Sequence, residues 1–279
     1  MRLNANAKIN LTLDITGVRP DGFHTLRSVM APITLCDELT FEKSDEFVFD
    51  CNIEALKSED NLCVRAAKLF FDKIGVKPQG SIFLEKKIPF PAGLGGGSSD
   101  AATVLKGLNE LYGSLLDKSE LLSLAERLGS DVSLCLYGKP ALCEGRGEEL
   151  TPIEIPCEFN VVVAIGKSRL STPAVYRSYD GMKLSPRNDS ESFLSALDKG
   201  NVDEMISSMG NAFEPVADEL APETKELREL LLESGAKASR LSGSGPSVFG
   251  IFENEEIAKN AVKELEDKGF SAYFCKTVK

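Results

Sequence analysis

From residue 8 to residue 16 the chain alternates, with Ile9, Leu11, Leu13 and Ile15 apolar between polar neighbours. That period of two predicts a half-buried strand. Pro20-Asp21-Gly22 supplies turn chemistry, so an extended path resumes at Phe23. Short strands are predicted over 40–41, 47–49 and 81–87. Asp60-Asn61 can cap a helix whose Leu62, Ala66, Leu69, Phe70 and Ile74 recur at intervals of three and four, with Gly75 as the stop. After a Pro/Gly stretch over 89–97, a second helix is predicted from Ser98, with Ala102, Leu105, Leu108 and Leu111 on one stripe and Gly113 ending it. A shorter helix fits 119–128 and stops at Gly129.

The later half reads as a buried strand at 160–165, helices at 192–199, 223–234 and 255–268, and strands at 247–252 and 270–277. Pro152 and Pro156 mark a boundary, which divides the chain into domains 1–153 and 154–279. Strands and helices mix without a regular βαβ rhythm, and no repeat occurs at solenoid periods. The pattern predicts an α+β fold in two lobes.

Composition narrows the function. The 279 residues are 42% hydrophobic and 27% charged, values of an ordinary globular chain. The net charge of −11 argues against a nucleic-acid or anionic-membrane partner. It does not exclude a small phosphate ligand, which backbone amides and one or two lysines can hold. The longest strongly apolar stretch, 161–165, is far short of the ~20 residues of a spanning helix. Seven scattered cysteines contain no CxxC pair, which removes the usual zinc-ribbon signal. With no apolar leader block, the expectation is a cytoplasmic protein with reduced thiols.

The sharpest chemical feature is Pro89-Phe90-Pro91-Ala92-Gly93-Leu94-Gly95-Gly96-Gly97-Ser98-Ser99-Asp100, set between a strand and a helix. Glycines let backbone approach a ligand closely, and a helix start presents free N–H groups. Ser98, Ser99 and Asp100 are all cap-competent. On this segment alone, triphosphate binding and a flexible capped turn are equally good readings. A dinucleotide fingerprint fails, because its sixth place is Ser98 rather than glycine. Gly166-Lys167-Ser168 fails as a P-loop, since the glycine that must precede it is Val161, deep in a strand.

Other candidates have plain structural explanations as well. Lys8 and Asp131 are the cation and carboxylate that phosphoryl transfer needs, but singly they read as a solvated strand residue and a helix cap. His24, the one histidine, and Phe23 could engage a nucleobase or merely occupy a turn. The 241–247 Gly/Ser loop could line a phosphate path or simply join a hairpin. Lys86-Lys87 reads as a solvated face. No G-x-S-x-G elbow or HExxH spacing supports a hydrolase.

Taken in order, Ala7-Lys8-Ile9-Asn10-Leu11, Asp21-Gly22-Phe23-His24, the 89–99 loop and Gly129-Ser130-Asp131-Val132 resemble the GHMP kinase superfamily. Glu59-Asp60-Asn61-Leu62 and Glu144-Gly145-Arg146-Gly147-Glu148 are similar to segments of one of its branches. The resemblance implies a ribosomal S5 domain 2-like N-terminal domain and a ferredoxin-like C-terminal domain. It implies ATP-dependent phosphorylation of the 2-hydroxyl of a diphosphocytidyl sugar alcohol, in non-mevalonate isoprenoid precursor synthesis. By resemblance Lys8 and Asp131 form the catalytic pair, Pro89 to Ser99 the triphosphate cradle, and Asn61 lies near the adenine. Asn10 and His24 would face the cytidyl substrate, with Phe23 where the family commonly has tyrosine, keeping the ring without its hydroxyl. Mg²⁺ follows from ATP chemistry, with no residue assigned as its ligand. The partner would be this small molecule, and the protein a monomer or homodimer. Alternatives are another GHMP kinase acting on homoserine, mevalonate or a sugar, or a non-catalytic nucleotide-binding protein.

Overall fold

The computed structural model describes all 279 residues. The chain opens with β1 (Arg2–Asn10), β2 (Thr12–Val18), β3 (His24–Glu42), β4 (Val48–Cys51), α1 (Leu62–Ile74) and β5 (Ser81–Glu85). Next come α2 (Gly96–Leu111), α3 (Lys118–Leu128), α4 (Ser130–Tyr137), β6 (Ala141–Glu144), β7 (Glu149–Pro152) and β8 (Asn160–Ile165). Then follow α5 (Thr172–Gly181), α6 (Asp189–Asp198), α7 (Val202–Ser207), β9 (Gly210–Asn211) and α8 (Glu214–Leu220). The last elements are α9 (Glu223–Glu233), β10 (Ala238–Leu241), β11 (Val248–Phe252), α10 (Glu255–Asp267) and β12 (Ser271–Lys276).

The chain forms two compact units that interleave along the sequence. The first is Met1–Ala7, Cys36–Pro89 and Gly95–Gly138; the second is Lys8–Leu35, Phe90–Leu94 and Lys139–Lys279. Residues 150–157, where prolines suggest a boundary, lie within the second unit.

In the first unit β3 pairs antiparallel with β5, Thr40 opposite Phe83, and β5 pairs parallel with β4 across the α1 crossover. Helix α1 forms as the pattern predicts, because all of its signals are local. Asn61 caps it by accepting from the Cys63 amide at 2.8 Å, and Gly75 ends it in the left-handed region. Its buried face carries Cys63, Ala66, Ala67, Phe70 and Phe71, packed in one core with Leu39, Phe41, Leu105 and Leu108. Asn61→Ala is expected to cost about 1 kcal/mol of stability, lowering Tm by roughly 2–4 °C. A melt superimposable on the parent's would mean that this cap contributes nothing.

The second unit contains an antiparallel sheet in the order β10-β11-β8-β12. Val163 lies opposite Phe249 on one side and Tyr273 on the other. The run Val161 to Ala164 is buried on both faces, which is why it is uniformly apolar. Chain order β8, β10, β11, β12 in that spatial order is the ferredoxin-like arrangement, elaborated by the helices between β8 and β10.

Two expectations are corrected. The 8–16 segment is two strands broken at Leu11, and it is not half-buried: Lys8, Asn10, Thr12 and Asp14 are buried as well. The polar positions are internal because each finds a partner. The Thr12 and Ser190 hydroxyls pair at 2.8 Å, and Asp14 accepts the amides of Asp189 and Ser190. The short 40–41 strand is the end of a 19-residue β3, whose middle (Val29, Met30, Ala31, Ile33) is continuously buried.

Candidate active site

The glycine loop divides between the units, with Phe90–Leu94 in the second and Pro89 and Gly95 onward in the first. In the second unit, the Lys8 amide donates to the Leu94 carbonyl at 2.9 Å. Lys8 and Asn10 are two apart on β1 and so share a strand face. The Lys8 ammonium, in a residue only 4% exposed, donates to Asn10 Oδ1 at 2.8 Å. Asn10 Nδ2 in turn donates to Ser28 Oγ at 2.9 Å, which fixes the amide's orientation.

The Gly/Ser loop joining β10 to β11 is stitched to the same place. Ser242 Oγ donates to the Gly93 carbonyl at 3.1 Å, and Ser247 donates to the Ala92 carbonyl through both its amide and its hydroxyl. Gly93 holds φ +74°, and a Cβ there would fall on the Ser242 carbonyl oxygen, so only glycine fits. A Cβ on Gly243 would lie 3.3 Å from the Lys8 ammonium. The loop is therefore both a hairpin connection and a wall beside Lys8.

In the first unit, Gly95 precedes α2 in the left-handed region, with no side chain capping the helix. The leading amides of α2, at Gly96, Gly97 and Ser98, have no acceptor within the helix. A row of such donors at the positive end of a helix dipole can receive an anion. Ser98, Ser99 and Asp100, read as caps from sequence, lie inside the helix, which begins two residues earlier than expected. The Ser99 amide already donates to the Gly95 carbonyl.

Asp100 turns inward to a group the sequence reading misplaced. Lys86 is not on a solvated face. Its ammonium is buried between Asp37 Oδ2 at 2.5 Å and Asp100 Oδ2 at 2.6 Å. Asp37 Oδ1 also accepts the amides of Lys87 and Ile88, at 2.5 and 2.7 Å. The partners lie 49 and 14 residues away, beyond any local pattern. Burial pushes the Asp100 carboxyl up to about 8. Its carboxylate neighbours raise Lys86 despite burial, which acts the other way.

Asp131 sits in the first turn of α4, a helix entered through extended Gly129 and packed against α2. A carboxylate is electrostatically favoured at that end. Asn61 directs both polar atoms of its side chain to backbone, accepting from Cys63 and donating to Leu56.

Phe23 and His24 follow the 20–22 turn in the second unit. Phe23 is 56% exposed, with the Arg146 guanidinium 5.5 Å over its ring. His24 is held instead of solvated: Nε2 lies 2.7 Å from Asp180 Oδ1, and the ring packs 4.9 Å from Tyr176. Tyr176 and Tyr179 both meet Phe213 edge-on. Asp180 and this aromatic cluster on α5 escaped the sequence reading, since 156 residues separate His24 from Asp180. No group of three or more His, Cys, Asp or Glu side chains is placed to hold a metal ion.

Residues 61–139 match the GHMP kinases N terminal domain and residues 193–271 the GHMP kinases C terminal domain. The chain is 39% identical to a 4-diphosphocytidyl-2-C-methyl-D-erythritol kinase of Symbiobacterium thermophilum, covering 100% of both chains. It is 37% identical to the enzyme of that name from Caldicellulosiruptor saccharolyticus, over 95% of this chain and 93% of that one. A crystal structure of a 4-(cytidine 5'-diphospho)-2C-methyl-D-erythritol kinase superposes with a TM-score of 0.87 at 35% identity, covering 100% of each chain. With identity at this level along its whole length and both family domains present, the chain belongs to the GHMP kinase family, in the group of the 4-diphosphocytidyl-2-C-methyl-D-erythritol kinases.

Proposed function

We propose that this ATP-dependent small-molecule kinase transfers the γ-phosphoryl group of ATP to the 2-hydroxyl of 4-diphosphocytidyl-2-C-methyl-D-erythritol, a step of non-mevalonate isoprenoid precursor synthesis. Full-length identity to kinases of that name carries the substrate reading. The N-terminus of α2, uncapped by any side chain and following left-handed Gly95, supports the 89–99 loop as the triphosphate cradle. Asn61 caps the neighbouring α1, and its role toward the adenine is to position that helix end.

Phosphoryl transfer passes through a loose transition state, so positioning and charge screening contribute more than a strong base. In this reading Asp131 orients the acceptor hydroxyl and takes its proton late, while Lys8 stabilises the charge on the migrating phosphoryl. Asn10 holds the Lys8 ammonium in one place, which keeps that charge preorganised. Mg²⁺ would neutralise the triphosphate. Such an ion commonly takes most of its ligands from phosphate oxygens and water.

Phe23 offers an exposed ring for the cytosine, and His24, braced by Asp180, an imidazole beside it. No helix is long and apolar enough to cross a membrane. We place the enzyme in the cytoplasm, as a monomer or homodimer acting on a small molecule. His24→Ala is expected to raise KM for the cytidyl substrate about tenfold, the loss of one hydrogen bond and a ring contact, with KM for ATP unchanged. An unaltered KM for the cytidyl substrate would remove His24 from the substrate site.

A further inference from the structure

The buried cluster of Asp37, Lys86 and Asp100 lies directly beneath the helix end that the proposed function gives to ATP. A Cβ on Gly96, the first residue of α2, would sit 2.9 Å from the Lys86 ammonium. Asp100 is four residues further on, one turn along the same helix face. The cluster holds two carboxyl groups and one ammonium, all buried. Were both carboxyls ionised, a net negative charge would be locked in a dry interior below a phosphate site, which is costly for the cluster and for the ligand.

Hydrogen bonding separates the two acids. Asp37 uses both oxygens as acceptors, from Lys86 and from the amides of Lys87 and Ile88, as a carboxylate does. Asp100 receives a single donor on Oδ2, and its buried Oδ1 has no hydrogen-bond partner. Asp100 is thus the acid suited to keep a proton.

We propose that Asp100 is a positioning residue for ATP, neutral when the triphosphate is bound, and that its ionisation places a negative charge beneath the α2 N-terminus and weakens ATP binding. This rests on the reading of α2 as the triphosphate site. The other titratable groups around Asp100 are Asp37 on β3, Lys86 after β5, Cys51 on β4 and Cys63 on α1. Burial raises both thiols above their ordinary range, so they stay neutral near pH 8. Burial first, then the facing carboxylate of Asp37, holds the Asp100 carboxyl up at about 8, against the pull of Lys86.

The sign follows from linkage: the neutral form binds the anion better, so affinity is full below pH 8 and falls above it. The test is calorimetric titration with Mg-ATP, without acceptor, on the wild-type protein and on D100N between pH 7 and pH 9. Wild type is expected to weaken about 3- to 10-fold across that range and to take up a fraction of a proton on binding at pH 8.5. D100N, neutral at every pH, should show neither effect. A flat wild-type profile without proton uptake overturns the proposal, as does a D100N profile that repeats the wild-type weakening. Should D100N fail to fold, the wild-type proton uptake decides alone. Failure of wild type to bind ATP at pH 7 would overturn the triphosphate reading as well, whereas ATP binding with a flat profile overturns this inference only.

Discussion

Asp131→Asn is expected to lower turnover by roughly 10² to 10⁴ with little change in affinity for ATP. Asparagine keeps the size and polarity of the side chain in the first turn of α4, so the helix should survive. In the proposed role, what it loses is the capacity to accept the acceptor hydroxyl's proton and the negative charge that orients that hydroxyl. In a loose transition state proton transfer runs late, so the loss should fall on the chemical step and leave ground-state nucleotide binding alone. Steady-state ADP release and ATP titration on the same variant separate the two. Undiminished turnover would remove Asp131 from the catalytic role.

Gly93→Ala is expected to be the most damaging single change in the loop. At φ +74° a side chain is strained in any surroundings, and here its Cβ would collide with the Ser242 carbonyl and approach the Gly245 backbone to 3.0 Å. Relief requires parting residues 92–94 from the 242–247 loop, and with it the Leu94 carbonyl that holds the Lys8 amide. Strain and lost hydrogen bonds together come to about 2–4 kcal/mol. Melting should shift down accordingly and ATP affinity fall by tenfold or more. Wild-type melting and ATP binding would contradict the described loop packing.

Helix α1 was readable from its own segment, because Asn61, the three-four spacing and Gly75 are all local determinants. The strand at 160–165 is equally plain, since burial on both faces from Val161 to Ile165 leaves only apolar side chains there. The glycine loop could be located but not interpreted, because a capped turn and a phosphate cradle share one composition. The start of α2 at Gly96 without a capping side chain favours the cradle, a matter of two residues of helix.

Lys86 beside Lys87 resembles a solvated face in sequence, because its partners Asp37 and Asp100 are distant along the chain. The 8–16 strand failed in the same way. Its apolar alternation holds, but Asn10 and Thr12 are buried through Ser28 and Ser190, brought from elsewhere in the chain, and Lys8 through Asn10. Helix α4 has only eight residues, and from sequence Gly129 reads as the stop of the helix before it and Asp131 as a cap. Motif order along the chain, which is not a folding property, is what pointed to the family.

The most direct measurement is ADP release with Mg-ATP and each of four acceptors: 4-diphosphocytidyl-2-C-methyl-D-erythritol, homoserine, mevalonate and galactose. The account predicts turnover with the cytidyl substrate and none with the other three. Turnover with homoserine, mevalonate or galactose and silence with the cytidyl substrate would contradict it.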